Sequence, residues 1–409
     1  MLLTNIHQLL QVRPATTRRI AGADMAKLPL INDAYLLIED GLISDFGPMA
    51  YAPTDYTGDI IDCDGQLVLP TWCDSHTHIV YAGDRSHEWV ARLEGKTYAE
   101  IAAAGGGILN SAKRLNETPE EDLYQQSKTR LETVMALGTG AIEIKSGYGL
   151  TVEGELKMLR VIRRLREEYP IPIKATFLGA HAIPANYKTD KAGYLRMLTD
   201  ELMPKIAEEG LADFVDVFCE DGYFSVEDTE LVMVAGIKHG LVPKIHVNQF
   251  TTLGGVAAAV QHGALSVDHL EELSEADVEA LKGSETMPVA LPGCSFFLGI
   301  PYTPARRLMD AGLPVALATD YNPGSAPSGN MNFALSLACT QMKMLPEEAI
   351  NAATLNGAYA MGLEKELGSI TVGKRANLLI TEQLPSFGAL PYNFGMPTVS
   401  QVVINGAFL

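Results

Sequence analysis

The chain has 409 residues, 47% of them hydrophobic, and a formal net charge of −19. That length supports one large domain with an appendage or two ordinary domains, and so acidic a balance argues against a nucleic-acid partner. No uninterrupted apolar run of roughly eighteen residues and no basic, cleavable leader can be read, so neither a membrane span nor a signal peptide is expected.

Residues 1 to about 66 contain short alternating segments, AYLLIE and LISDFG, joined by the hairpin pair Asp40-Gly41. The long middle then alternates apolar runs with amphipathic stretches. Eight strand candidates follow in order: QLVLPTWCDSHTH, GAIEIKSGYG, IKATFLGAH, DFVDVFCED, PKIHVNQ, ALSVDHLEE, MPVALPG and VALATDYNPG. Helical patterns such as EGELKMLRVIRRLREEY lie between most of them. The alternation predicts a (β/α)₈ barrel over 67–365. From about 366 the pattern of the first residues returns, in GSITVGKRANLLIT and SQVVINGAFL with its Asn405-Gly406 turn. The two ends are therefore expected to build one small discontinuous β-sandwich subdomain, 1–66 plus 366–409. The cysteines (Cys63, Cys73, Cys219, Cys294, Cys339) are scattered without a CxxC pair, which predicts reduced thiols and a cytoplasmic protein.

In such a barrel the C-terminal ends of the strands carry the chemistry, and polar residues interrupt the apolar runs there. The first ends in His76-Thr77-His78, the second in Lys145-Ser146-Gly147-Tyr148, the third in His181, the fourth in Glu220-Asp221, the fifth in His246, the sixth in Asp268-His269 and the eighth in Asp320. Residues i and i+2 of a strand share a face, so His76 and His78 can converge on one metal ion, with His246 and Asp320 completing an N₃O set suited to Zn²⁺ or iron. His239 and His262, each just before a glycine, fit helix C-termini instead, where a partial positive charge meets the last carbonyls.

The spaced pattern of HxH, two further histidines and an aspartate at successive strand ends resembles the amidohydrolase superfamily over essentially the whole chain. The stretches HTHIVYAGDR, YAEIAAAGGGI, EIKSGYGL, ATFLGAHAIP, DVFCEDGYF, VDHLEE and TDYNPGSAP are similar to the branch that acts in histidine degradation. That resemblance implies hydrolysis of the cyclic amide of 4-imidazolone-5-propanoate to N-formimidoyl-L-glutamate. Asp320 would be general base as well as ligand, and His269 would orient the attacking water or stabilise the oxyanion. The fourth strand has no lysine that could bridge two ions, so one metal per chain is expected, with Glu220 the residue that could otherwise reach a second.

The implied substrate carries a carboxylate, for which Arg85 offers a planar fork; a surface ion pair is the plainer reading of that arginine. Tyr148, His181, Gln249, Asn322, Gly324 and Ser325 are the further substrate-binding candidates, although Tyr148 could simply be a packed aromatic. Gln249 stands where related deaminases carry a glutamate that shuttles protons. An amide cannot titrate, which argues against a deaminase and leaves Asp320 to protonate the leaving ring nitrogen. A non-catalytic metal-binding protein would lack a ligand or the base, and none is missing. The glycine cluster AGGGI at 104–108 reads as a lid or as a tight turn. A homodimer is the assembly considered, with no residue that argues for it.

Overall fold

The computed structural model describes residues 1–96, 100 and 106–409. Of the glycine cluster only 106–108 fall among them, so the choice between lid and turn lies outside the described residues.

The N-terminal segments form β1 (Leu2–Leu10), β2 (Leu30–Glu39), β3 (Leu42–Pro48), β4 (Ile60–Asp62) and β5 (Leu67–Pro70). The C-terminal segments form β14 (Leu378–Thr381), β15 (Val399–Ile404) and β16 (Ala407–Phe408). These eight strands make one mixed sheet in the order β16-β15-β14-β5-β1-β2-β3, with β4 alongside β1. Alternate inward residues, among them Leu3, Ile6, Leu36, Val68, Leu378 and Val403, give the sheet its own core.

The first strand candidate is two strands. Its beginning, β5, pairs with β14 and β1 in the terminal sheet, and the chain then turns through Thr71 into the barrel. The proposed division at residue 66 thus has one strand reaching across it. Close approach of the neighbouring strand makes the junction tight: a Cβ at Gly140 would overlap the Thr71 side chain.

The barrel consists of β6 (Trp72–Thr77), β7 (Thr139–Lys145), β8 (Ile173–Ala180), β9 (Phe214–Cys219), β10 (Val242–Val247), β11 (Ser266–His269), β12 (Met287–Ala290) and β13 (Ala316–Leu317). They pair in parallel in sequence order. The eighth is only two residues long, and the circle closes just beyond it. Asp320 N–H donates to His76 O at 3.0 Å, His78 N–H donates to Tyr321 O at 2.8 Å, and Thr77 bridges Tyr321. The buried Asp74 carboxylate holds the same seam, accepting from Thr319 N–H at 3.0 Å and from its hydroxyl at 2.6 Å. His76, His78 and Asp320 are therefore brought together by the seam itself. No helix among the described residues is long and apolar enough to cross a membrane.

Candidate active site

His76 and His78 leave β6 on one face, as the two-residue strand period requires, and His246 and Asp320 meet them from β10 and from the turn after β13. The Nε2 atoms of His76 and His78 are 3.3 Å apart, and that of His246 is 3.4 Å from His78. Asp320 Oδ1 lies 3.5 Å from His76 Nε2 and 3.4 Å from His78 Nε2. Bonds of about 2.1 Å at tetrahedral angles give donor–donor edges of about 3.4 Å. His76, His78 and Asp320 form one group spaced to share a divalent ion, His246 comes within 3.4 Å of His78, and their N₃O chemistry suits such an ion. His269 stands beside this set, with a ring nitrogen close to ligand atoms of His76 and His246.

Two of the three rings, His76 and His246, are held from behind. His76 Nδ1 is 2.6 Å from Asp268 Oδ2 and His246 Nδ1 is 2.9 Å from Asp216 Oδ2, contacts that keep the proton on Nδ1 and the lone pair on Nε2. Burial pushes both imidazoles down, His246 to about 4, so they are neutral donors at neutral pH. Beneath them Lys145 Nζ donates to Glu143 Oε1 at 2.6 Å and to Asp216 Oδ2 at 2.8 Å, and lies 3.5 Å from Asp268. Lys244 Nζ donates to Glu143, to Ser75 O at 3.1 Å and to Ala360 O at 3.0 Å. Burial alone would discharge Lys145, but Asp216, Glu143 and Asp268 raise its pKa and keep it an ammonium. Sequence reasoning missed Glu143, Asp216 and Lys244. The signal was there: Glu143 and Lys244 stand two residues before Lys145 and His246 on the same strand faces, and Asp216 is the charge inside the apolar run FVDVFC.

The rim is strained where the chemistry sits. Asn248, His269, Leu270 and Asp320 have φ values of 57°, 89°, 61° and 56°, a region costly to side chains other than glycine. His269 Nδ1 is 3.3 Å from Glu271 Oε1. Burial would lower the pKa of His269, yet Glu271, Asp320 and Asp268 together raise it to about 9.

The ligand cluster opens into a cavity of about 630 Å³ whose lining includes Arg85, Tyr148, His181, Gln249, Asn322, Gly324 and Ser325. All seven substrate-binding candidates thus line the same cavity. His181 stacks on His78 with ring centroids 5.5 Å apart, and its Nδ1 is 3.1 Å from Gly147 O. Gln249 donates to Cys294 Sγ at 3.3 Å. Asn322 donates to Asp320 O at 2.7 Å and to Ser325 Oγ at 2.8 Å, and accepts from the N–H groups of Gly324 and Ser325. Its amide therefore shapes the turn that carries Asp320. Arg85 lines the cavity and pairs with Glu88, in a pair buried in the wall rather than exposed at the surface. Sequence reasoning passed over Glu88 and Arg92, both on the helix Ser86–Leu93 and both on the cavity wall.

Glu220 does not reach for a metal. Its oxygens accept from Phe250 N–H at 2.9 Å, from Asp221 N–H at 3.0 Å and from the Thr251 hydroxyl, bracing the loop after β10. His239 and His262 end the helices Val226–Lys238 and Gly255–Gln261, as their glycine neighbours predicted.

Residues 225–409 match the model of the amidohydrolase family. An imidazolonepropionase of Flavobacterium johnsoniae is 63% identical, over 100% of this chain and 99% of that protein. One from Geobacillus thermodenitrificans is 41% identical, over 98% of this chain and 95% of that protein. Among solved structures, E. coli guanine deaminase superposes with a TM-score of 0.75 at 16% identity, covering 100% of this chain and 98% of that one. The 5-methylcytosine deaminase of Klebsiella pneumoniae superposes with a TM-score of 0.74 at 18% identity, over 98% and 97%; at these identities the likeness is one of fold. On the strength of these full-length relatives, the chain belongs to the imidazolonepropionase family of amidohydrolases.

Proposed function

We infer that this enzyme hydrolyses the cyclic amide bond of 4-imidazolone-5-propanoate, yielding N-formimidoyl-L-glutamate in histidine degradation. The observation that carries this reading is that one cavity joins the His76, His78, His246 and Asp320 cluster to a guanidinium, that of Arg85. A cyclic amide bearing a carboxylate needs both.

Those four residues would hold a divalent ion, Zn²⁺ or iron in our reading, which when bound would supply the Lewis acidity to activate water near neutral pH. Asp320 makes its contacts with the His76 and His78 rings through Oδ1, and its Oδ2 faces the Ser325 hydroxyl at 3.4 Å. That oxygen takes the proton from the attacking water and returns it to the leaving ring nitrogen. His269, fixed by Glu271, donates towards the oxyanion as it forms. Burial raises the pKa of Tyr148 well above its ordinary value, so it stays a phenol and can donate to the substrate. His181, neutral through burial and protonated at Nδ1 towards Gly147 O, offers Nε2 as an acceptor to a ring N–H. The five free cysteines support the proposed cytoplasmic location.

Purified enzyme added to freshly made substrate should remove the imidazolone absorbance without releasing ammonia. Ammonia release would favour a deaminase, and unchanged absorbance with metal bound would refute the assignment.

A further inference from the structure

A guanidinium has five N–H donors, one on Nε and two on each Nη. In Arg85 the side edge is already engaged: Nε donates to Glu88 Oε2 at 2.9 Å and Nη2 to the same oxygen at 2.7 Å. The other oxygen of Glu88 accepts from Gly107 N–H at 3.0 Å. Glu88 is 7% exposed and Arg85 17%, so this pair is a fixed part of the cavity wall. On its far side, Nη1 lies against Gly324, where a Cβ would overlap it.

We propose that Glu88 is a positioning residue for substrate recognition, aiming the Nη1–Nη2 end of Arg85 at the substrate's carboxylate, and that Gly324 lacks a side chain so that this end has room. The inference rests on the reading of Arg85 as the carboxylate's partner. An arginine on a free stem loses much rotamer freedom when it binds, and ordering it beforehand lowers that cost. The pairing gives up part of the positive field, because the charge of Glu88 offsets that of Arg85. What the site gains is direction: the side-on fork through Nε and Nη2 is closed, and a carboxylate can approach only end-on. Lysine cannot divide its contacts in this way. In Arg85→Lys the ammonium would close on Glu88 and turn from the cavity, so that variant should bind substrate no better than Arg85→Ala.

Glu88→Gln separates aiming from mere support. It keeps the volume and an oxygen for Gly107 N–H, but sets an amide NH₂ against the guanidinium. The test is steady-state kinetics with metal analysis on the full-length holoenzyme, for Glu88→Gln, Arg85→Ala and the double variant. Loss of such hydrogen bonding typically costs about three- to tenfold. Glu88→Gln should therefore raise KM by about that factor, with metal content unchanged and kcat within about twofold. In the Arg85→Ala background the same change should have no effect on KM, because the residue acts through the guanidinium. Gly324→Ala should show the same KM signature with metal retained. An equal KM increase in both backgrounds, or none in the parent, would overturn the role of Glu88 while leaving Arg85 in place. An unchanged KM in Arg85→Ala would instead remove the carboxylate reading itself and turn attention to Arg92.

Discussion

Beneath the histidine cluster, Lys145 and Lys244 are each held by several buried acceptors, and Asp216 and Asp268 face both a lysine and an imidazole of that cluster. On the cavity wall above, Tyr148 meets the rings of His78 and His181, while His181 and Gln249 each have one hydrogen-bond partner. The floor's charges are paired within the protein, whereas Tyr148, His181 and Gln249 on the wall keep hydrogen-bonding capacity to spare. A low-dielectric floor with its charges paired holds the His76 and His246 rings in one orientation and one tautomer. A wall with donors and acceptors to spare can bind a polar ring. Damage to the floor should therefore cost metal or stability, and damage to the wall should cost affinity alone.

The largest effect is expected where floor and cavity meet. His78→Ala should abolish activity and weaken metal retention on dialysis, since a three-residue remnant holds such an ion poorly. A variant that keeps its metal and its turnover would remove His78 from the ligand set. Asp320→Asn differs in kind: the amide oxygen can still face the metal but cannot take a proton, so kcat should fall by about 10²–10⁴-fold with part of the metal retained. Near-normal turnover would rule Asp320 out as the base.

Lys145→Met tests the floor below the ligands. It strips Glu143, Asp216 and Asp268 of a shared cation, and breaking a buried pair this way costs about 3–5 kcal/mol of stability. Denaturant unfolding should register that loss, and an unchanged midpoint would mean that the network contributes little. The smallest effect belongs to the wall. Arg85→Ala should weaken substrate binding by about ten- to 150-fold, the worth of a charge-assisted pair, with full metal content. Loss of metal from this variant would blur the distinction between floor and wall.

The sequence made the ligands legible because each imidazole or carboxylate stands at the end of an apolar run, where a barrel leaves few other positions for it. Strand order and closure followed from the same alternation. What stayed hidden depended on facing partners. Lys244, in PKIHV, looks like any polar interruption until β7 brings Glu143 to its height across the barrel. Glu88 sits on a short helix among Trp89, Val90 and Leu93, all exposed, and nothing local separates it from a solvated surface residue. The split of the first candidate into β5 and β6 was hidden too, because both halves are fully buried and only Thr71 lies between them. The positive φ angles at His269 and Asp320 leave no mark in composition.

The central claim is that a single metal ion, held by His76, His78, His246 and Asp320, supports the reaction. Chelator-stripped enzyme titrated with Zn²⁺ or Fe²⁺, with imidazolone ring opening followed at each addition, tests it most directly. Activity should rise linearly and level off at one equivalent per chain, with no further gain beyond it. A break at two equivalents, with both ions retained through gel filtration, would contradict the account.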